Sequence, residues 1–310
     1  MKLAGDIGGT KVLLGLVDDA GAIVAERRLA SADFSAFDAL LGEFLRGNAV
    51  TLDGGCLAVA GPVADDGRSA TITNLPWIID AAALEREFAI APGSLRLVND
   101  FAGAAMGVTV TAPDQLVTLQ AGEPDPAGVK LVVGAGTGLG MAVLLPEGSG
   151  WRVLPSEGGH VGFAPADATQ ARICSALMEQ HGRVTCERVI SGPGLAAIHG
   201  VLNGEQLEPA LISERALAGD AAARQSVDVF IAAYGAFAGD MAMAVMARGG
   251  VYLAGGIAAK ILPLLHSGIF LNAFNAKAEH AALVARMAVH VATDPQLGLR
   301  GAAQLAMQYR

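Results

Sequence analysis

Short apolar runs bounded by Gly, Asp or Asn recur along the 310-residue chain, with longer amphipathic stretches between them. Such runs predict strands over 2–6, 12–17, 23–29, 55–60, 70–73, 95–98, 129–133, 141–145, 151–154, 251–254 and 287–291. The stretch 35–46 repeats with a helical period and puts Phe37, Leu40, Leu41, Phe44 and Leu45 on one face. Several helices are expected between 167 and 248, and a closing helix over 297–308. Strands and helices mixed in this order predict an α/β fold.

One pattern occurs twice. Leu3-Ala4-Gly5-Asp6-Ile7-Gly8-Gly9-Thr10 enters the apolar run from Val12 to Leu16, and Leu131-Val132-Val133-Gly134-Ala135-Gly136-Thr137-Gly138 enters the run from Leu139 to Leu144. Both read as strand, tight Gly/Thr turn, strand. Two copies of one unit predict two related domains facing each other across a cleft; chance likeness of two Gly-rich hairpins is the alternative.

Composition narrows the class. The chain is 53% hydrophobic with a mean hydropathy of +0.46, an excess owed largely to Ala. The most apolar stretch, 227–247, contains Asp228 and Asp240. A carboxylate near a bilayer centre costs about 3 kcal/mol, so the stretch is expected to be a buried core helix and a candidate subunit contact, with no membrane partner. A net charge of −9 without a basic stripe argues against a nucleic-acid partner. The three cysteines, Cys56, Cys174 and Cys186, form no C-x-x-C pair, which suits a reducing compartment and offers no zinc cluster. Asp6 interrupts any signal-peptide core at the start of the chain, so a cytoplasmic location is expected.

Candidate chemistry follows from the two turns. Glycines bring backbone N–H groups close to a ligand, and successive N–H groups form a concave anion site to which a Thr hydroxyl adds a donor. Gly8, Gly9 and Thr10, with Gly136, Thr137 and Gly138, could hold a polyphosphate from both sides. Asp6 would lie where a hydrated Mg²⁺ bridging phosphates needs a carboxylate. Neither turn is a Walker A loop, and Gly134-Ala135-Gly136-Thr137-Gly138-Leu139-Gly140 misses G-x-G-x-x-G because its last glycine falls one residue late, which disfavours a dinucleotide fold.

The strand from Leu95 ends in Asn99-Asp100. Polar residues at the carboxyl end of an α/β strand lie where ligands bind, and Asp100 could serve as general base with Asn99 orienting the substrate. Helix capping by the same residues is the competing reading. In Glu157-Gly158-Gly159-His160 a carboxylate and an imidazole surround two glycines and could hold a small polyhydroxyl ligand, whereas one Glu and one His are too few for a metal. Two weaker pieces are the segment from Glu187 to Gly194, and Leu253-Ala254-Gly255-Gly256-Ile257, where a nucleoside could lie flat on the backbone.

Jointly these segments resemble the bacterial glucokinase family of the actin-like sugar kinases. The motifs are Gly5-Asp6-Ile7-Gly8-Gly9-Thr10, Thr73-Asn74-Leu75-Pro76-Trp77, Val98-Asn99-Asp100-Phe101, Gly134 to Gly140, Glu157-Gly158-Gly159-His160, Glu187 to Gly194 and Leu253 to Ile257. They come in the family's order and span nearly the whole chain. The resemblance implies a two-domain actin-like (ribonuclease H-like) fold with an interdomain cleft, residues 1–110 plus 296–310 forming the small domain and 111–295 the large one. It implies ATP-dependent phosphorylation of glucose to glucose 6-phosphate with Mg²⁺, and a homodimer. Asp100 matches the catalytic base. Asn99, Glu157, His160 and Glu187 match positions binding the other sugar hydroxyls; Gly8, Gly9, Thr10, Gly136, Thr137 and Gly138 match the phosphate loops; Gly255 and Gly256 match the adenosine-binding turn. The sequence departs from many relatives at Lys11-Val12-Leu13, where they resemble Asn-Ala-Arg. The Cys-rich zinc motif of the repressor–kinase branch is absent, and no helix-turn-helix is expected before Asp6. A kinase for fructose, mannose or an N-acetyl sugar, and a non-catalytic sugar sensor, are the alternatives.

Overall fold

The first apolar run forms strand β1 (Lys2–Ile7), and β2 (Lys11–Val17) returns antiparallel to it with Ile7 opposite Val12. These and all following coordinates come from a computed structural model, which describes residues 1–48 and 50–309. The chain divides into two units, Met1–Ala112 with Asp294–Arg310, and Pro113–Thr293.

In the first unit β3 (Ile23–Ala30), β4 (Gly55–Val59) and β7 (Leu95–Asn99) complete a five-stranded sheet of order β3-β2-β1-β4-β7. Two short strands, β5 (Ser69–Thr71) and β6 (Ile78–Asp80), pair separately. The period of two along the strands sorts the sheet's faces. Leu3, Ile7, Leu14, Leu57 and Leu97 pack with Phe37, Leu40, Leu41 and Phe44 of the helix Phe37–Arg46. Ala4, Leu13 and Ala58 pack instead on Leu299, Ala302 and Ala303 of the closing helix Leu297–Gln308. That helix also meets the helix Asp100–Val108 at backbone distance: a Cβ on Gly301 would lie 2.6 Å from the amide nitrogen of Gly107 and collide with the carbonyl of Gly103.

The second unit repeats the arrangement. Strands β8 (Leu116–Gln120), β9 (Lys130–Ala135), β10 (Leu139–Glu147), β11 (Gly150–Ser156), β12 (Gly250–Ala254) and β13 (Val289–Ala292) form one sheet of order β11-β10-β9-β12-β13-β8. As in the first unit, three antiparallel strands lead into parallel partners, β9 beside β12 and β12 beside β13. The two Gly/Thr turns therefore join equivalent strands, β1 to β2 and β9 to β10, so the repeated sequence pattern marks a duplicated sheet. The additional edge strand β8 and the strand β6 fall where no strand was expected. Every residue of β8 is at least partly exposed, which leaves only a weak apolar run to detect.

The long helix Ala221–Val245 satisfies the length and apolarity of a membrane span, and 56% of its most apolar window is buried inside the protein. Its Phe230, Tyr234 and Phe237 belong to the core, and the Tyr234 hydroxyl donates to the Val133 carbonyl of β9 at 3.1 Å. The three cysteines are buried and unbridged.

Candidate active site

In the first unit, parallel pairing sets Ile7, Val59 and Asn99 level with one another at the carboxyl ends of β1, β4 and β7. The turn Gly8-Gly9-Thr10 and the pair Asn99-Asp100 leave the sheet from this edge. The Gly8 N–H donates to the Lys11 carbonyl at 3.0 Å, closing the turn. The Ser31 hydroxyl donates to the Gly8 carbonyl, also at 3.0 Å. Gly9 lies against the matched segment from Thr73, for a Cβ there would sit 3.0 Å from the Thr73 carbonyl oxygen.

Asn99 does act as a cap, its Oδ1 accepting from the Phe101 N–H at 2.9 Å. Asp100 is the first helical residue and Oδ1 of its carboxylate accepts from the same N–H at 2.8 Å. Capping and chemistry are therefore not exclusive here: Asn99 holds the turn, and Asp100 stays half-buried at the strand's end. Burial raises the Asp100 pKa against the lowering effect of the Phe101 N–H.

Asp6, on β1, is pushed up to about 6, first by burial and then by the charge of Asp100, while Lys11 pulls it down. The backbone of Gly298, in the first turn of the closing helix, comes so near that a Cβ there would lie 2.7 Å from the Asp6 carboxyl. No side-chain or backbone donor bonds that carboxyl among the described residues. Among those residues there is also no group of three or more His, Cys, Asp or Glu able to hold a metal. A desolvated, donor-free carboxylate beside a second one fits a Mg²⁺ that keeps its waters and takes its remaining ligands from phosphates.

In the second unit, the turn Gly136-Thr137-Gly138 is closed by the Gly136 N–H donating to the Gly138 carbonyl at 2.8 Å. Gly255, at φ +85°, leads from β12 into the helix Gly256–Lys260, and a Cβ on it would approach the Ala135 carbonyl to 2.6 Å. Gly255 thus stands beside the second turn in a conformation that disfavours a side chain, and Gly256 follows it as the first residue of the helix, with open space where a side chain would project.

The same unit gathers Glu157, His160 and Glu187. His160 Nε2 is 3.6 Å from Glu157 Oε2, and its Nδ1 is 3.9 Å from Glu187 Oε1. Glu157 is 88% exposed and Glu187 32% exposed at the side chain, so the cluster opens to solvent and can receive a polar ligand. Glu187 also accepts from the Leu139 N–H at 2.9 Å, a bond that reading residue types in order did not anticipate. The contribution of Gly298 was likewise missed. The pair Gly298 and Gly301 in the closing helix, matched by Gly103 and Gly107 in the helix after Asp100, signals a close helix contact but not the Asp6 carboxyl.

Residues 3–309 match the family model described as Glucokinase. A glucokinase of Nostoc sp. is 37% identical over 341 aligned positions, covering 99% of this chain and 98% of that relative. The crystal structure of a glucokinase from an Antarctic psychrotroph superposes with a TM-score of 0.88 at 30% identity, covering 99% of this chain and 98% of the other. A ROK family glucokinase from Streptomyces griseus, solved with glucose and AMPPNP, shares the fold at a TM-score of 0.66 and 20% identity, covering 99% of each chain. With that duplicated sheet and those matches along nearly its whole length, the chain belongs to the glucokinase family and has its actin-like sugar kinase fold.

Proposed function

We propose that this chain transfers the terminal phosphate of ATP to the 6-hydroxyl of glucose, with Asp100 as the general base. The observation carrying this reading is the desolvated Asp100 carboxylate at the end of β7, close enough in effect to raise the pKa of Asp6 beside the first glycine turn. A base with an elevated pKa takes up the hydroxyl proton more readily as the oxygen attacks phosphorus. Asn99 steadies the strand-to-helix turn and offers its amide to a neighbouring sugar hydroxyl. Glu157, His160 and Glu187 hold the remaining hydroxyls, a carboxylate accepting two of them and the imidazole donating one bond.

Phosphoryl transfer needs mainly positioning and charge stabilisation. Gly8 and Gly136 close the two turns with their own N–H groups, leaving the N–H groups of Gly9 and Thr10, with those of Thr137 and Gly138, for the phosphates, and Gly255-Gly256 supports the adenosine. Asp6 would hold Mg²⁺ through water, and the cation would supply charge neutralisation on the phosphates. Residues 1–110 with 296–310 serve as the small domain and 111–295 as the large one. The reading includes a homodimer working in glycolysis in the cytoplasm, with the buried Ala221–Val245 helix as core rather than membrane anchor.

The test is a coupled ADP-release assay with MgATP over glucose, fructose, mannose and N-acetyl sugars. Glucose should give the highest kcat/KM. Sugar binding without ADP release would instead identify a sensor, and a different preferred hexose would move the substrate assignment.

A further inference from the structure

The Glu187 carboxylate has two oxygens with two different duties in view. Oε1 faces His160 in the sugar-binding cluster, and Oε2 accepts the N–H of Leu139, the residue that ends the Gly136-Thr137-Gly138 turn and begins β10. The fit around that bond is close, because a Cβ on Gly138 would come within 2.6 Å of Oε2.

The backbone around Glu187 is fixed independently of its side chain. Glu187 lies in a single 3-10 turn, Cys186–Arg188, which is anchored by the Cys186 N–H donating to the Val161 carbonyl at 2.9 Å. A few residues on, the Gly192 N–H donates to the Gly136 carbonyl at 2.8 Å. The segment that carries Glu187 therefore grips the glycine turn at both ends, once through the side chain and once through the backbone. The His160 segment touches the same place, with Gly159 packed so closely on Leu139 that a Cβ there would lie 3.1 Å from the Leu139 Cβ.

We infer that Glu187 is a positioning residue that couples the sugar cluster to the nucleotide's phosphate turn: the carboxylate that receives sugar hydroxyls on one oxygen sets the turn with the other. This rests on the proposed sugar kinase reading and deepens it. Sugar bound against Oε1 restrains the carboxylate, and the restrained carboxylate holds the Leu139 N–H and with it the turn. Because one carboxylate serves both, a change in the turn that displaces Oε2 also displaces Oε1, and should weaken sugar binding even when no nucleotide is present.

Two binding constants test it: that of AMPPNP with Mg²⁺ in the absence of sugar, and that of glucose in the absence of nucleotide, both by calorimetry on the full chain. A charge-assisted hydrogen bond lost in Glu187→Ala should weaken each by about tenfold or more. Glu187→Gln keeps one carbonyl oxygen for the Leu139 N–H but turns an amide toward the sugar. It should weaken glucose about tenfold while AMPPNP stays within about twofold of the native value, a split that a merely structural role would not produce.

Gly138→Ala supplies a separate arm for the case in which Glu187→Ala does not fold. Its methyl group displaces Oε2, and glucose affinity without nucleotide should fall about tenfold although the substitution lies in the phosphate turn. Unchanged AMPPNP binding in Glu187→Ala, or unchanged glucose binding in Gly138→Ala, overturns the coupling. Unchanged glucose binding in both Glu187 variants, with AMPPNP weakened in Glu187→Ala, would instead remove Glu187 from the sugar site while leaving its hold on the turn intact.

Discussion

Replacing Asp6 by Asn removes a charge that the fold pays to keep ionised. The Asp6 pKa rises from 3.8 to about 6, with burial as the larger cause and the Asp100 charge as the second. Between those two values the native state binds more protons than the unfolded chain. Stability therefore falls as pH rises through that window, and the full penalty is present above the folded pKa. A shift of roughly two units corresponds to about 3 kcal/mol at pH 8 and about half of that at pH 5. Asn has nearly the same shape and no charge to desolvate, so Asp6→Asn should be more stable by about those amounts. The native chain and the variant should be unfolded in urea at both pH values, in EDTA and without nucleotide. The same variant should lose about 10² or more in kcat, as when a preorganised electrostatic contact to the transferring group is removed. Stability gained at the cost of activity is the expected mark of a strained functional carboxylate. A variant no more stable than the native chain at pH 8, or a gain that does not depend on pH, would refute the reasoning.

Asp100→Asn should lower kcat by about 10²–10⁴ while glucose binding measured by calorimetry stays within a few-fold, and near-normal turnover would exclude Asp100 as base. Glu85 is only 4% exposed; burial opposes its charge, but the Arg68 guanidinium at 2.6 and 2.8 Å and the N–H groups of Gly93 and Leu95 bring its pKa to about 2. The stabilisation from this carboxylate is fully present above the unfolded value of 4.5 and is lost as pH falls toward 2. Glu85→Gln leaves Arg68 without its counter-charge and should cost about 3–5 kcal/mol at neutral pH, with a flatter acid limb in urea titrations. Gly301→Ala puts a methyl group against Gly103 and Gly107 and should destabilise the first unit by about 1–3 kcal/mol. Because the displaced helix begins at Asp100, kcat should fall as well, and a variant with native melting and native turnover would contradict the close helix contact.

The sheets were legible in the sequence because their signals are local. Runs such as Val12 to Val17 and Val251 to Ala254 are apolar, short and bounded by glycine, and the observed strands differ from expectation by only a residue or two at their ends. The closing helix was found over the same residues, Leu297–Gln308. Duplication was readable for the same reason, since both copies place a glycine turn between a strand and the antiparallel strand that follows it, β1 to β2 and β9 to β10. Strands β6 and β8 escaped because their meaning lies in what they pair with: Ile78–Asp80 is three residues long, and Leu116–Gln120 gains its place only beside β13.

The candidate site was legible by residue type but not by bond. Asn99 and Asp100 left two readings open, and the geometry accommodates both, with Asn99 at the helix cap and Asp100 half-buried at the strand's end. Lys11 stood out as a departure from relatives, and its charge proves to be the one that draws the Asp6 pKa downward. Neither Gly298 nor the Leu139 N–H could be found that way. A glycine in a helix carries no label for the carboxyl it makes room for, and a backbone N–H has no residue type at all. Both become visible only when strands and helices far apart in sequence are packed, as Asp6 is with Gly298 and Glu187 with Leu139. What sequence motifs supply is the set of groups able to touch phosphate and sugar. What packing adds are the couplings among those groups, and those couplings decide whether a change in the phosphate turn at Gly138 is felt at the sugar cluster.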